Sequence, residues 1–296
     1  MTTFSTTTKS RLRDYGPAVL MVAPLLVFLI AFYAIPFAEM LAESLRPWSN
    51  DPEAVKTAGF SLYQYEKVFA SSRITKALLR TFEISFISVF LTFLICYPIA
   101  LLMLRLGTKM RSAFLIVIFV SLAASLIVRN YGWLVVLADQ GPVNNIMVAL
   151  GIFDRPKRLV YNEWAIIVAL VHYAMPFMIL PIYGSLLRIP ASQWEAPRTL
   201  GANSWTALRT VILPLSASGI FGGTTLCFAV SASAFVTPLM LGSPATAMIS
   251  QVAAEQLLIQ LNFPLGSAII FVLTFITFIL MFVYVLLVRK VLRVDV

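Results

Sequence analysis

S-Q-W-E-A-P-R-T-L-G-A-N-S-W-T-A-L-R-T-V-I-L-P, residues Ser192–Pro214, is a polar, charge-bearing segment between two strongly apolar runs. Its spacing is ordered. An acid and a small residue stand at Glu195 and Ala196, a glycine at Gly201, and a branched-x-Leu-Pro close at Val211, Leu213 and Pro214. Ser192-x-x-Glu195 is a capping-box pattern, and Pro190 keeps the preceding apolar run from continuing into it. The pattern predicts a short helix over Gln193–Leu200, a positive-φ turn at Gly201 and a second helix over Ser204–Val211. A short surface helix with one exposed glutamate suits insertion into a groove on another protein. An ordinary amphipathic connector satisfies the same spacing.

The flanks of this segment set the class of the chain. Hydrophobic residues make up 60% of the 296 residues and charged ones 12%, with a mean hydropathy of +0.90. A soluble domain carries about twice that share of charge, so the composition is that of an integral membrane protein. Each crossing takes about 20 apolar residues, which leaves room for about six helices and no separate catalytic domain. The expected fold class is all-α, a polytopic membrane helix bundle.

Working outward, Trp164–Leu187 reads as the fourth span and Ser216–Leu241 as the fifth, ended by Gly242-Ser243-Pro244. Upstream, Ser112–Val128 reads as the third span, followed by a longer polar loop over Arg129–Glu163. Ile84–Leu104 reads as the second span and Tyr15–Ala38 as a retained first helix rather than a cleaved leader. The sixth span starts near Asn262–Gly266 and ends at Arg289-Lys290. The expected organisation is a tail at 1–14, a first helix and outside loop at 15–72, a core at 73–290 containing the polar loop 188–214, and a tail at 291–296. The Thr/Ser-rich tail 1–14 reads as disordered.

Charge orients the bundle. The two tails with the adjoining Arg289-Lys290, Arg105–Arg111 and Arg188–Arg209 hold twelve Lys/Arg against Asp14, Glu195 and Asp295. The opposite side holds ten against nine acids besides Glu83. The positive-inside rule then places both termini and Ser192–Pro214 in the cytoplasm. The formal charge of +9 is read as a membrane-surface signature rather than as a nucleic-acid footprint.

The chain lacks the pattern of a nucleotide-binding loop; Gly107-Thr108-Lys109 has the order wrong. His172 is the single histidine, so no zinc-type pair exists, and no metal site is expected. Cys96 and Cys227 read as small core residues. No catalytic residue is expected. Uphill transport would therefore draw its energy from a partner or from an ion gradient.

Ser192–Pro214 resembles the EAA loop of the transmembrane subunits of binding-protein-dependent ABC importers: Glu-Ala-Ala, three residues, Gly, nine residues, then Ile-x-Leu-Pro. The match is at Glu195, Ala196, Gly201, Leu213 and Pro214, conservatively at Val211, with Pro197 in place of the second alanine. A proline there removes a helical hydrogen bond and is expected to bend the helix. Arg129-Asn-Tyr-Gly-Trp133, Gly141-Pro-Val-Asn144, Pro176-Phe-Met, Leu200-Gly-Ala-Asn203 and Phe235-Val-Thr-Pro238 resemble the spermidine/putrescine permease branch, its first permease subunit above all. The resemblance implies a type I importer permease in a bacterial inner membrane, taking up a polyamine-like or other small amine. It implies as partners a second homologous permease, two ATPase subunits and a periplasmic substrate-binding protein. ATP and Mg would sit on the ATPases, with no cofactor in this chain. Glu195, Ala196, Gly201, Val211, Leu213 and Pro214 would form the coupling helix unit that seats on an ATPase.

Four residues are candidates for the substrate pathway. Glu83, near the outer end of the second span, could face a cationic amine or pair with Arg80 one turn away. His172 could line the pathway or bond a neighbouring helix. Tyr131 and Trp133 could cage an amine or anchor the membrane interface. Ser218, Gly222, Gly223, Ser231 and Ser233 are expected to allow close helix packing. The competing reading is a proton-coupled secondary carrier using Glu83 and His172, although no internal repeat supports it.

Overall fold

The computed structural model describes residues 21–47, 59–199 and 201–292; the predicted tail 1–14 and residues 293–296 of the predicted tail 291–296 lie outside them. The described residues form helices and no strands. They are α1 (Met21–Ser44), α2 (Tyr63–Ala70), α3 (Ser72–Arg105), α4 (Thr108–Ala123), α5 (Leu126–Val136), α6 (Pro142–Ala149) and α7 (Glu163–Leu186). After α7 come α8 (Ala191–Thr199), α9 (Ser204–Leu215), α10 (Ala217–Ala232), α11 (Val236–Leu241), α12 (Ile249–Ala254, continued by a π-turn over Glu255–Ile259) and α13 (Phe263–Leu292). Helices α1, α3, α7 and α13 are each long and apolar enough to cross a membrane. Two bent pairs supply the remaining crossings: α4 with α5 at 101° and α9 with α10 at 69°. Counting each bent pair as one span gives six crossings, the number composition predicts.

The hub is α7. It packs between α3 and α10, burying Ala174, Met178 and Ile182 completely. Close approach comes from glycine: a Cβ on Gly219 would stand 2.4 Å from the Pro181 carbonyl, and one on Gly223 3.0 Å from the Met178 sulfur. The small-residue stripe predicted for the fifth span is therefore partly reassigned. Gly219 and Gly223 set the spacing, whereas Gly222 is open and Ser218 and Ser233 are exposed. Cys96 and Cys227 are fully buried, and their thiols donate to the carbonyls of Met175 (3.8 Å) and Ala174 (3.3 Å) on α7. Helix α1 lies at the periphery against α13, where Phe37 meets Phe271, and its far end is tied by a Ser44–Tyr65 hydroxyl pair at 2.8 Å.

Several boundaries differ from expectation. Helix α3 starts at Ser72, twelve residues before the predicted Ile84, because Ser71 caps it with its hydroxyl and its first turns bury Ile74, Ala77 and Leu78. At 1.5 Å per residue α3 is about 51 Å long, so Arg73, Lys76 and Arg80 ride on an extension beyond the apolar span. The stretch Arg129–Glu163 is not a polar loop: it holds most of α5 and all of α6. The predicted third span breaks at Ala124-Ser125, both in extended conformation. The fifth span ends at Ala232 rather than Leu241. Pro238 has no N–H to offer the Ala234 carbonyl, and the Ser250 hydroxyl donates there instead at 2.5 Å.

Candidate functional site

The polar segment folds as a helix–turn–helix. Helix α8 begins at Ala191, so Ser192 lies inside the first turn rather than at the cap, and the predicted capping box gives way to a Gln193 N–H bond to the Pro190 carbonyl at 3.0 Å. Gly201 has φ +81, the left-handed value the sequence requires of it. Across it the Ala202 N–H donates to the Pro197 carbonyl at 2.9 Å, a bond that closes the helix end in the manner of a Schellman motif. This gives Pro197 a place. It is buried, its missing N–H falls within a helix that continues to Thr199, and its carbonyl anchors the turn. The expected bend does not end the helix.

Asn203 then caps α9, its side chain accepting the Thr206 N–H at 2.7 Å. The helix opens into a π-turn over Leu208–Ile212, with the Leu213 N–H reaching back to the Leu208 carbonyl. That register shift accommodates Pro214, which cannot bond to Thr210. The six predicted coupling residues thus divide by direction. Glu195 and Ala196 are exposed on α8, while Val211 and Leu213 pack into the cluster formed by α3, α7 and α10. Gly201 makes the turn, and Pro214 marks the passage towards α10. Sequence reasoning missed Trp194 and Trp205. Trp194 is half-buried against the bundle and Trp205 is 69% exposed beside Glu195's face. A cleft of roughly 800 Å³ separates this unit from the ends of α3 and α7, lined by Leu104, Arg105, Leu186, Trp194, Glu195 and Trp205.

The pathway candidates are only partly brought together. The Trp133 indole N–H donates to Nδ1 of His172 at 3.2 Å, with the rings edge to face at 5.8 Å. Tyr131, on the same helix, points away and is exposed. Glu83 is exposed rather than buried, and its expected partner is engaged elsewhere: Arg80 Nε bonds Glu163 at 2.8 Å. That acid also sits in the first turn of α7, where a helix terminus favours negative charge.

Beside the Trp133–His172 pair lies a residue not foreseen as functional. Arg129 is 9% exposed and donates to the carbonyls of Ser121 and Ala124 (3.2 Å for the latter), the last turn of α4. A cation on the freed carbonyls of a helix end is the electrostatically favoured arrangement. The guanidinium also lies 5.2 Å from the Tyr173 ring centroid, in cation–π geometry. Next to it, Asn130 and Thr237 share two bonds, at 3.2 and 3.3 Å. These bonds tie α5, just after the α4–α5 elbow, to α11. The motifs Arg129–Trp133 and Phe235–Pro238, distant in sequence, are two sides of one contact.

The fold is thus a bundle of four to six candidate membrane spans with a capped helix–turn–helix after α7. The chain belongs to the family of binding-protein-dependent transport system inner membrane components, which matches residues 17–293. It is 31% identical over 263 residues to the spermidine/putrescine transport system permease protein PotB of Haemophilus influenzae, covering 89% of this chain and 91% of that protein. Against PotB of Escherichia coli the identity is 26% over 264 residues, covering 89% and 95%. A chain of the bacterial alginate ABC transporter in complex with an alginate pentasaccharide-bound periplasmic protein shares the fold, with a TM-score of 0.79 at 16% identity over 97% of this chain and 99% of that one. The inward-facing MetNI methionine ABC transporter matches with a TM-score of 0.57 at 18% identity, over 74% and 95%. The protein is therefore a permease subunit of an ABC importer with the type I fold, a transport component rather than an enzyme.

Proposed function

We propose that this permease imports a polyamine-like or other small amine, working beside a second similar permease, two ATPase subunits and a periplasmic substrate-binding protein. Both termini and the α8–α9 unit face the cytoplasm in this reading, by the excess of Lys/Arg on that side. The observation that carries it is the division of labour in α8–α9: Glu195 and Ala196 exposed, Val211 and Leu213 rooted in the bundle, Gly201 making the turn between the two helices. An element exposed at one end and packed against α7 at the other transmits a push on its outer face to the spans. ATP-driven closure of the partner ATPases, with ATP and Mg bound there, would move two such units together and rock the spans between two arrangements.

The solute class rests on the similarity to PotB over most of the chain. The exposed carboxylate of Glu83 suits a cationic solute arriving at the outer end of α3. The Trp133–His172 pair beside the α4–α5 elbow supplies an aromatic edge further in. Import driven by a proton gradient has less support: Glu83 is at the surface, and the Nδ1 of His172 already accepts the Trp133 N–H.

The test is uptake of labelled spermidine and putrescine by the reconstituted assembly, with Glu195→Ala beside wild type. ATP-dependent uptake that is lost in the variant while insertion and folding persist supports the reading. Normal ATPase co-purification and transport in Glu195→Ala sinks the coupling role. Gradient-driven uptake by this chain without ATP sinks the importer mechanism.

A further inference from the structure

On the side of the bundle opposite α8–α9, the segment between α6 and α7 carries Arg155, Lys157 and Arg158. All three are exposed, and none forms an ion pair with a carboxylate among the described residues. The segment is nonetheless held firmly. Asn144, fully buried on α6, accepts the Lys157 N–H at 2.9 Å and donates to the carbonyls of Lys157 (2.9 Å) and Ala138 (3.0 Å). Its neighbour Gly141 lets α6 close onto the end of α5, since a Cβ there would lie 2.6 Å from the Val135 carbonyl. The cations themselves are braced on rings: Lys157 Nζ lies 4.5 Å from the Phe153 centroid, and the Arg158 guanidinium 5.0 Å from that of Tyr161. Tyr161 adopts φ 64 to bring its ring there, and Asn162 then caps α7.

Uncompensated charge is a solvation preference that any loop can satisfy while moving. Fixing two of the three cations on aromatic supports, over a backbone held by a buried amide, adds order that water does not require. Such preorganisation lowers the cost of meeting a partner of defined shape. We infer that the Phe153–Tyr161 segment is a docking element for an acidic patch on the periplasmic binding protein. Asp154, within the array, favours a partner of patterned charge over the diffuse field of anionic lipid headgroups. This inference rests on the importer reading given above, because that reading puts the segment on the periplasmic face. The segment continues into Glu163, which joins α7 to Arg80 of α3, so a partner seated there touches the two helices at the centre of the bundle.

The test uses the complete transporter in nanodiscs of phosphatidylcholine, with and without phosphatidylglycerol, and the ligand-loaded binding protein of the same transport system. The variants are R155E/K157E/R158E and the milder R155Q/K157Q/R158Q. Affinity is measured over a salt series, together with ATPase activity in the absence of binding protein. The expected result is affinity about tenfold lower or worse in the Glu variant, an intermediate loss in the Gln variant, a shallower salt dependence in both and unchanged basal ATPase. Wild-type affinity and salt slope in both variants overturn the inference. So does a loss that appears with phosphatidylglycerol alone, which would assign the array to lipid. Failure of the wild-type transporter to bind the protein at all would instead overturn the importer reading on which this rests.

Discussion

Replacing Gly201 separates backbone conformation from contact more cleanly than any other change in the α8–α9 unit. Its φ of +81 is one that L-residues avoid, yet a Cβ built there meets nothing within 4 Å. Any penalty is therefore conformational. A left-handed conformation costs a residue with a Cβ about 1–2 kcal/mol, with Asn favoured among the exceptions and β-branched residues worst placed. If the ATPase recognises α8 only with the turn closed by the Ala202–Pro197 bond, one to two kcal/mol lowers ATPase affinity by a factor of about 5–30. The expected order is Gly201 above Gly201→Asn, then Gly201→Ala, then Gly201→Val. Titrating purified ATPase onto the permease complex, with ATPase-coupled uptake in parallel, reads that order. Helix α8 keeps its sequence in all four proteins, so each should remain inserted and folded. Equal affinity for the Asn and Val variants would refute the reasoning, because it would mean that the turn's φ does not govern presentation of Glu195.

Three further expectations follow from packing and charge. Arg129→Ala strips the buried cation from the Ser121 and Ala124 carbonyls, and should cost about 1.5–3 kcal/mol per charged hydrogen bond lost; Arg129→Lys, without the fork, should recover little of it when thermal unfolding is followed in detergent. Gly219→Ala drives a methyl to within 2.2 Å of the Ser185 hydroxyl and 2.4 Å of the Pro181 carbonyl, so α10 must separate from α7 at about 1–3 kcal/mol. Gly222→Ala, 3.8 Å from its nearest neighbour, should be neutral or stabilising in the same assay. The third concerns Arg73 and Glu255, paired by two bonds at 3.1 and 2.5 Å. The guanidinium holds the Glu255 carboxyl below its usual range, with burial opposing it. A lowered folded-state pKa means that the stabilisation is present above the ordinary glutamate value and lost as pH falls through the lowered one. Glu255→Gln should therefore remove part of the acid-side loss of unfolding temperature below about pH 4.3. The effect is small and salt-sensitive, because Arg73 is 61% exposed.

The number of crossings, the position of the fourth span and the helix–turn–helix were legible in the sequence because each depends on local signals: apolar run length, Pro190, Gly201. The reassigned parts depend on contacts made elsewhere in the chain. Nothing at Ala124-Ser125 announces a break; the carbonyls it frees are satisfied by Arg129, five residues on, which folds back onto them. The end of the fifth span at Ala232 required Ser250 to satisfy Ala234, sixteen residues away. Helical spacing offered Arg80 as one of two partners for Glu83, but Arg80 pairs with Glu163, brought close by α7. Capping failed at Ser192 for a local reason, since Pro190 had already started the helix at Ala191. Within the candidate site, residue identity was readable and direction was not. Spacing alone could not say that Glu195 is exposed while Val211 and Leu213 pack on the core, because that division depends on where α3 and α7 end.

In the proposed mechanism α8 is the surface through which the ATPase acts. The direct measurement is disulfide cross-linking from Glu195→Cys to cysteines scanned along the ATPase surface, in the assembled transporter with and without ATP. Native Cys96 and Cys227 are fully buried and leave the introduced thiol as the accessible one among the described residues. The predicted result is strong cross-linking to a confined groove on the ATPase, with a yield that shifts on ATP addition. Cross-links scattered over the ATPase, or none from position 195 in an assembly that still transports, would contradict it.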